Sequence, residues 1–404
     1  MGKREPGNII IKMRILTVLT YYRPHTSGLT IYAERLAKAL AERGHKITIF
    51  TTQYLEELPL NEIHDGVQVI RVPVAFRVSK GVIAPSFGRK ATQLVRTHDV
   101  VQLHLPQFDA PGVALRARLM DKPSVLTYHC DLSLPPGKVN AMVNQIVHGM
   151  NRLAANFSDR IVTYTQDYAD NSAYLSRYRE KLEIIPPPVV LPVPNNGAVE
   201  RFATQHWTDT RRPVIGMAAR LATEKGVEIL LNALPKIIEV YPNAQVLFAG
   251  QYQDVLGEQD YYLRLLPTLR KYQDEGHWQF LGVLTPEEMA SFYPQLDVLV
   301  VPSLNSTEAF GLVQIEAMMN GVACVASSLP GVRQPVYTTG MGKVVPIGDD
   351  EALANAILDI LAHPLEFQAD PVEISNRFAP DTIAAEYERL FLSLLEEKKV
   401  NKQV

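Results

Sequence analysis

The sequence predicts an α/β protein with two domains, each built on a parallel sheet. Short apolar segments alternate along the chain with amphipathic segments of helical period, which is typical of parallel sheets covered by helices. The 404 residues are 47% hydrophobic, which is enough to fill two separate cores. Prolines cluster at 186–194, near the middle of the chain, and tandem prolines continue neither a helix nor a central strand.

The first strand–helix–strand unit is the clearest. A strand is predicted over 15–19, a loop over 21–28 and a helix over 29–43, where apolar residues recur on one helical face. Gly44 is placed to end this helix, and the next strand begins at 47. Further strands in this half are predicted at the remaining apolar runs: 68–72, 100–104, 124–128, 160–165 and 182–185.

A second series of the same kind opens after the prolines. We assign residues 1–194 to an N-terminal domain, 195–212 to a linker, 213–379 to a C-terminal domain and 380–404 to a terminal helix. Apolar runs predict the strands of the second domain: 214–218, 244–249, 279–281, 298–301 and 322–326.

The composition argues against several classes of protein. A net charge of −3 predicts no nucleic-acid partner. The two cysteines, Cys130 and Cys324, lack metal-binding spacing and fit a reducing cytosol, and no apolar run reaches the length of a membrane span. Neither the G-x-G-x-x-G of a dinucleotide oxidoreductase nor the G-x4-G-K-[ST] of a P-loop ATPase occurs. We therefore expect a cytoplasmic protein of another kind.

The most informative segment reads PSLNSTEAFGLVQIEAMMNGVACVAS and lies between two predicted strands. Glu308 falls in its polar loop, and Glu316 falls on the short helix that follows. The backbone amides of Phe310, Gly311 and Leu312 would point out of the start of that helix towards an anion. Two acids beside an anion site suit a ligand with phosphate in the middle and hydroxyls on both sides. A nucleotide sugar has this chemistry.

Two cations stand at the start of the second domain. Arg220 follows the predicted strand 214–218, and Lys225 opens the next helix. Ligands of doubly wound folds bind at the carboxyl edge of the strands, which is where both residues should lie. Arginine binds two oxygens at once, and with a lysine it suits a diphosphate that must leave as an anion.

These segments resemble the retaining glycosyltransferases of family 4, whose GT-B architecture has two Rossmann-like parallel-sheet domains facing an interdomain cleft. Glu308 and Glu316 match the E-x7-E signature of the family, and Arg220 with Lys225 matches its R-x4-K-G element. The resemblance implies that Glu308 contacts the donor sugar and Glu316 the ribose hydroxyls. It also implies that the two cations bind the diphosphate, and that the terminal helix crosses back to the first domain.

Further positions follow from the same resemblance. His129, at the end of the strand 124–128, matches a histidine that touches the donor sugar near the reacting centre. Gly28 matches the glycine-rich turn beside the donor phosphate, and the backbone at Val283 and Leu284 matches the segment that meets the nucleobase. His104, at the end of another strand, is a second cleft candidate from its position alone.

The resemblance implies transfer from a nucleotide diphosphate sugar to an acceptor hydroxyl, with retention of configuration. Asp-x-Asp is absent, so we expect no metal ion and no cofactor: Arg220, Lys225 and helix amides would stabilise the leaving diphosphate instead. Three alternatives remain at this stage. These are a nucleotide-sugar epimerase of the same fold, a glycan phosphorylase, for which no pyridoxal-phosphate lysine is evident, and a non-catalytic sugar-nucleotide binding protein.

A basic stretch of the first domain bears on the acceptor. Residues 66–129 hold nine Lys or Arg and three Asp: Arg71, Arg77, Lys80, Arg89, Lys90, Arg96, Arg116, Arg118 and Lys122, against Asp99, Asp109 and Asp121. Between Arg77 and Arg96 the cations alternate with Val82, Ile83, Phe87, Leu94 and Val95. This mixture predicts peripheral contact of 77–122 with an anionic membrane and a glycolipid or lipid-linked acceptor. The alternative is a solvated helix face and a soluble glycan acceptor.

Overall fold

The computed structural model describes the following parts of the chain: residues 11–78, 81–131, 138–208 and 210–402. They form two compact units. The first contains the described residues up to Pro188 together with those from Ala379 onwards, and the second spans Val189–Phe378. Lys80, one of the predicted surface cations, lies outside the described residues.

The described strands follow one another along the chain as β1 (Arg14–Val18), β2 (Lys46–Gln53), β3 (Asn61–His64), β4 (Val67–Pro73), β5 (Phe76–Val78), β6 (Gly81–Ile83), β7 (Val100–Leu105), β8 (Ser124–Tyr128), β9 (Arg160–Thr163), β10 (Leu182–Ile184), β11 (Val214–Ala218), β12 (Gln245–Ala249), β13 (Trp278–Gly282), β14 (Val298–Val301), β15 (Cys324–Ser327) and β16 (Gly342–Val345).

The described helices are α1 (Gly28–Glu42), α2 (Phe87–Thr97), α3 (Ala110–Leu119), α4 (Lys138–Phe157), α5 (Gln166–Asn171), α6 (Ala198–His206), α7 (Val227–Val240), α8 (Gln259–Asp274), α9 (Pro286–Phe292), α10 (Leu312–Met318), α11 (Gln334–Thr339), α12 (Asp350–Ala362), α13 (Pro371–Phe378) and α14 (Pro380–Asn401). Short 3-10 turns lie between several of them, including Thr223–Lys225.

The first unit is built on an eight-stranded sheet in the order β10-β9-β8-β7-β1-β2-β4-β3. All neighbours pair in parallel except β3 with β4, so the predicted parallel architecture is confirmed apart from this edge. The chain leaves β1 in one direction and returns to β7 on its other side. Right-handed crossovers therefore place α1 on one face of the sheet and α3 and α4 on the other.

The terminal helix α14 belongs to the first unit, where it packs against α1. The hydroxyl of Tyr387 lies 2.7 Å from that of Tyr32 and 2.9 Å from that of Thr127, and all three side chains are buried. Arg43 donates to Glu388 over 2.6 Å at the rim of this contact. Apolar burial and these polar contacts therefore hold a C-terminal segment on a unit formed mainly by the N-terminal half.

The second unit has a six-stranded parallel sheet in the order β13-β12-β11-β14-β15-β16. Its core is apolar, and α7, α8 and α12 contribute buried side chains to it. β11 pairs in parallel with both β12 and β14. Consequently the loops that leave β11, β13 and β14 all emerge at the same carboxyl edge, in agreement with the predicted location of the ligand-binding residues.

Some elements escaped the prediction. β3 reads Asn-Glu-Ile-His and is mostly exposed at the edge of the sheet, so it has no apolar run to reveal it. The hairpin of β5 and β6 and the short strand β16 were not expected either. Within the predicted linker 195–212, α6 buries Phe202 on the second unit, and the side chain of Gln295 donates to the carbonyl of Val199.

Candidate active site

The loops after β11 and β14 approach each other closely at the carboxyl edge of the second sheet. Gly226 has φ +69°, and a Cβ atom on it would lie 2.1 Å from the carbonyl oxygen of Pro302. The amide of Leu304 donates to the carbonyl of Glu224 over 2.9 Å. Only glycine permits both this conformation and this approach, so the glycine that follows Lys225 is a structural requirement of the site.

Lys225 and Glu308 form the centre of the cluster. Nζ of Lys225 lies 2.5 Å from Oε2 of Glu308, and the two side chains are only 19% and 22% exposed. The other carboxylate oxygen, Oε1, accepts a hydrogen bond of 3.0 Å from the amide of Gly311. The carboxylate of Glu308 therefore bridges the cation on one loop and the backbone of the other.

This bridge changes the expected anion site. The sequence predicted that the amides of Phe310, Gly311 and Leu312 would point out of a helix towards a phosphate. In the structure α10 has only seven residues, and the amide of Gly311 is already bonded to Glu308. Gly311 itself has φ +78°, a conformation that glycine adopts without strain. A phosphate that used this amide would have to take the place of the Glu308 carboxylate.

Arg220 lies on the same edge but is held loosely. Its guanidinium is 49% exposed and donates to Glu224 over 3.0 Å, four positions along the chain. Exposed pairs of this kind contribute little stability, so the side chain can turn towards a ligand at small cost. Arg220 and Lys225 thus flank one short turn, and one is mobile while the other is fixed.

Glu316 lies inside α10 and is 8% exposed. Its Oε2 accepts a hydrogen bond of 2.6 Å from the hydroxyl of Tyr293, a fully buried residue in the turn before β14. Such a contact fixes the carboxylate in one rotamer. The sequence offered no signal for Tyr293, because it lies 23 positions before its partner and outside any motif.

Val283 and Leu284 follow β13 at the same edge of the sheet. The side chain of Val283 is 67% exposed. The segment is anchored on both sides: the carbonyl of Gly282 accepts from the amide of Gly250 over 2.7 Å, and Thr285 forms a capping box with Glu288 at the start of α9. The backbone is therefore presented on a fixed support.

His129 lies in the first unit, directly after β8, and is 6% exposed. Its Nε2 is 2.8 Å from Nδ1 of His104, and its Nδ1 contacts the hydroxyl of Tyr164. Burial lowers the pKa of His129 well below its ordinary value, and the neighbouring His104 lowers it further. Both ring nitrogens face side chains here, so the expected contact with a sugar stays a prediction. His104, named from its position alone, proves to be its neighbour.

Gly28 is the first residue of α1. Ser27 caps this helix: its hydroxyl accepts from the amide of Thr30 over 3.2 Å, and the hydroxyl of Thr30 accepts from the amide of Ser27 over 2.8 Å. A Cβ atom on Gly28 would have no atom of the described chain within 4 Å. The fold itself therefore does not require glycine at this position, and the space beside it is open to a ligand.

The predicted mixed surface around residues 77–96 is corrected by the structure. Four of its apolar side chains face inwards and are buried: Val82, Phe87, Leu94 and Val95. Arg71 is also buried and pairs with Glu62 over 2.6 Å. Alternation in sequence did not become alternation on the surface, because α2 turns its apolar stripe to the sheet. Among the described helices, none combines the length and the apolar composition needed to cross a bilayer.

Comparison with known proteins places the chain in a family. A model described as Glycosyltransferase Family 4 matches residues 26–191, and one described as Glycosyl transferases group 1 matches residues 199–377. The fold and the carboxyl-edge cluster define a glycosyltransferase of the GT-B class. The chain belongs to glycosyltransferase family 4.

Several curated proteins are similar over most of their length. A phosphatidyl-myo-inositol mannosyltransferase of Mycolicibacterium smegmatis is 26% identical over 358 residues, covering 86% of this chain and 85% of the relative. A glycogen synthase of Mycobacterium tuberculosis is 26% identical over 415 residues, covering 94% and 95%. None of the relatives named here is an epimerase, and that alternative has no support.

Solved structures share the fold. HepE from Anabaena in complex with UDP superposes with a TM-score of 0.74 at 21% identity, covering 94% of this chain and 100% of the other. A sucrose-phosphate synthase from Thermosynechococcus elongatus gives a TM-score of 0.76 at 22% identity, with 96% and 100% coverage. Both are similar to this chain in architecture over its described length.

Proposed function

We propose that this glycosyltransferase moves a sugar from a nucleoside diphosphate sugar to an acceptor hydroxyl, with retention of configuration and without a metal ion. The observation that carries the proposal is the cluster of Arg220, Lys225, Glu308 and Gly311 at one sheet edge. It joins two cations suited to a diphosphate with a carboxylate and an amide suited to the adjoining sugar.

The bridge seen at Glu308 suggests how the donor binds. The diphosphate would displace the carboxylate from Lys225 and from the amide of Gly311, and Arg220 would leave Glu224 to share the charge. The released Glu308 would then accept hydrogen bonds from the sugar hydroxyls. The exchange replaces one anion by another beside the same cation, so no buried charge is left unpaired at any stage.

The remaining donor contacts follow the family pattern. Glu316, oriented by Tyr293, would accept hydrogen bonds from the ribose hydroxyls. The backbone at Val283 and Leu284 would meet the nucleobase. Uridine and guanosine donors both remain compatible with such main-chain contacts. We further infer, from the family pattern, that the backbone at Phe310, Leu312 and Gly28 approaches the phosphates.

Retention is proposed to follow a front-face route. The bond between the anomeric carbon and the diphosphate oxygen breaks, and the acceptor oxygen bonds to the same face of that carbon. The acceptor's proton passes to the departing phosphate oxygen. Arg220 and Lys225 would stabilise the charge that develops on the diphosphate, which is the role a divalent metal plays elsewhere. A front-face route needs no carboxylate nucleophile, and none was evident in the sequence.

His129 would act as a neutral hydrogen-bonding group. Because burial and His104 lower its pKa, the imidazole carries no charge near pH 7. A neutral ring can donate to or accept from a sugar hydroxyl but has no extra proton to give as an acid. To reach a sugar, the ring would exchange its contact with His104 or Tyr164 for one with the ligand.

The acceptor is proposed to be a glycolipid, a lipid-linked compound or a glycan. Among the similar proteins, one is named for a phosphatidyl-inositol acceptor and another for glycogen. The structure offers no observation that separates these classes within the donor site. The first unit is where the family pattern places the acceptor.

The function is tested by incubating candidate donors with and without acceptors. UDP-, GDP- and ADP-sugars are each mixed with the protein, and release of nucleoside diphosphate is followed together with the anomeric configuration of the product by NMR. Acceptor-dependent release with retained configuration supports the proposal. Acceptor-independent isomerisation of the donor, or an inverted product, contradicts it.

A further inference from the structure

Three consecutive helices of the first unit contain no acidic residue. These are α2, α3 and α4, which together carry Arg89, Lys90, Arg96, Arg116, Arg118, Lys138 and Arg152 but neither Asp nor Glu. The whole chain is net negative, with a charge of −3. The three helices pack side by side, α2 on α3 and α3 on α4, so their charges gather on one face of the sheet.

The opposite face has a different composition. Its helices α1 and α14 carry several acids, and α14 alone contains Asp381, Glu386, Glu388, Glu396 and Glu397. The first unit is thus polarised across its sheet, with the basic charge concentrated on α2, α3 and α4. Such separation of sign is a recognition feature and adds nothing to the stability of the fold.

The cations of this layer are exposed and largely without carboxylate partners. Arg96, Arg118 and Arg152 are exposed, and within the described ranges no carboxylate lies within 4.0 Å of their guanidinium groups. Arg118 donates to the carbonyl of Asn156 over 3.2 Å, which links the end of α3 to the end of α4. Their charge is therefore available to an external anion.

Apolar side chains stand exposed among these cations. Leu119 is 76% exposed on α3, and Met142, Ile146 and Leu153 are 57%, 46% and 46% exposed on α4. The three α4 residues follow helical spacing along a single side of the helix. Single exposed apolar residues are ordinary, but a row of them on neighbouring helices marks a surface that is covered in use.

We propose that the outer face of α3 and α4, flanked by α2, docks on an anionic phospholipid membrane. We call it the basic face and define it by Arg96, Arg118, Leu119, Met142, Ile146 and Arg152. Cations interspersed with aliphatic side chains match a lipid surface, where headgroups supply charge and the acyl boundary accepts the aliphatic groups. A nucleic acid would instead favour polar and stacking side chains beside the cations, and none of the exposed apolar residues defining the face is aromatic.

This inference rests on the proposed function in one respect, since a lipid-linked acceptor explains why the enzyme would sit on a membrane. It also revises the sequence-based expectation. The apolar side chains expected to contact lipid near 82–95 are buried, and the exposed ones lie further along the chain, on α3 and α4.

The test measures co-sedimentation of the full chain with vesicles. One set contains phosphatidylcholine alone, and the other contains equal parts phosphatidylcholine and phosphatidylglycerol. We expect binding to the second set only, and we expect it to weaken as salt rises from about 0.1 M to about 1 M, because the Debye length falls from roughly 10 to roughly 3 Å. No binding to the anionic set at the lower salt would overturn the proposal.

Paired variants locate the surface. Arg118→Gln with Arg152→Gln should weaken binding about 25-fold, since each cation at such a surface is worth roughly fivefold in affinity. Leu119→Ser with Ile146→Ser should weaken it through lost apolar contact. The matched control, Arg389→Gln with Lys399→Gln, removes two exposed cations from α14 on the other face and should bind as the wild type does. Equal losses in the control and the Arg118/Arg152 variant would reduce the effect to net charge and contradict the docking face.

Two further measurements keep the outcomes distinct. Thermal unfolding of each variant shows whether it folds, and all substituted side chains are exposed, so unchanged midpoints are expected. Competition with a single-stranded RNA that releases the protein from vesicles completely at low concentration would favour a nucleic-acid surface and overturn the lipid assignment. Donor turnover on a soluble acceptor is assayed in parallel, so loss of vesicle binding with intact turnover would remove this inference and leave the proposed function standing.

Discussion

Nζ of Lys225 lies 2.5 Å from Oε2 of Glu308, although 83 positions separate the two residues. The contact joins the loop after β11 to the loop after β14, and the close approach at Gly226 makes it possible. It also means that the carboxylate expected to bind the sugar holds the cation expected to bind the phosphate. Donor binding must therefore exchange partners at both residues, and the first two predictions follow from this.

Glu308→Gln should lower turnover about a hundredfold, equivalent to roughly 3 kcal/mol of lost transition-state stabilisation. The affinity for nucleoside diphosphate should not fall, because a neutral amide competes less well than a carboxylate for Lys225. Steady-state kinetics and calorimetric titration measure the two effects. Glu239→Gln, an exposed change on α7, serves as the control. Near-wild-type turnover in a folded Glu308→Gln protein would refute the role of this carboxylate.

Arg220→Ala and Lys225→Ala should weaken the binding of nucleoside diphosphate far more than that of the bare nucleoside. Charge-assisted contacts to phosphate exist only with the first ligand. Titration of both ligands into each variant tests this, with Arg270→Ala, an exposed change on α8, as the control. If both ligands lost the same affinity, neither cation would be a phosphate ligand.

Tyr293→Phe should destabilise the second unit and weaken donor binding together. The change removes a buried hydroxyl that donates to the carboxylate of Glu316 over 2.6 Å, and hydrogen bonds to charged groups contribute about 1.5–3 kcal/mol. Denaturant unfolding and the KM for the donor provide the two readouts. Tyr337→Phe, whose side chain is 63% exposed, should alter neither. An unchanged KM alongside lower stability would mean that Tyr293 supports the fold alone.

Transfer should persist in the presence of a metal chelator. This expectation comes from the missing Asp-x-Asp and from the cations Arg220 and Lys225, which supply positive charge for the diphosphate. Initial rates are compared after dialysis against chelator, with and without added magnesium or manganese. A rate that disappears with chelator and returns with either metal would contradict the proposed diphosphate site.

The stability of the first unit should decline as the pH falls below about 6.5. Burial lowers the pKa of His104 to about 3, and the pKa of His129 is also well below its ordinary value. The unfolded chain, whose histidines titrate near 6.5, binds more protons than the folded one between these values, so stability is present above 6.5 and is lost towards 3. Each histidine contributes at most about 1.4 kcal/mol per pH unit in this window.

Denaturant unfolding at neutral and mildly acidic pH measures this slope. His104→Gln removes one of the two groups and should flatten the pH dependence, whatever its effect on absolute stability. His148→Gln, a change at a partly exposed position on α4, should leave the slope as it is. A slope that is identical in wild type and His104→Gln would show that the buried pair does not set it.

The sequence by itself determined the architecture and the location of the donor site. Period in the apolar pattern revealed the strands that carry the site, and the carboxyl-edge rule brought Arg220, Lys225, Glu308 and Glu316 to one side of the second sheet. These features are local or follow from chain order, so they can be read without coordinates.

The tertiary structure alone decided which side chains meet and which face water. The contacts of Lys225 with Glu308, Glu316 with Tyr293 and His129 with His104 join residues 23 to 83 positions apart, and pairing over such distances leaves no local pattern. The same holds for exposure. Val82 and Leu94 looked suited to a membrane but are buried, whereas Ile146 and Leu119 are exposed, because packing against the sheet selects the face of each helix that is hidden.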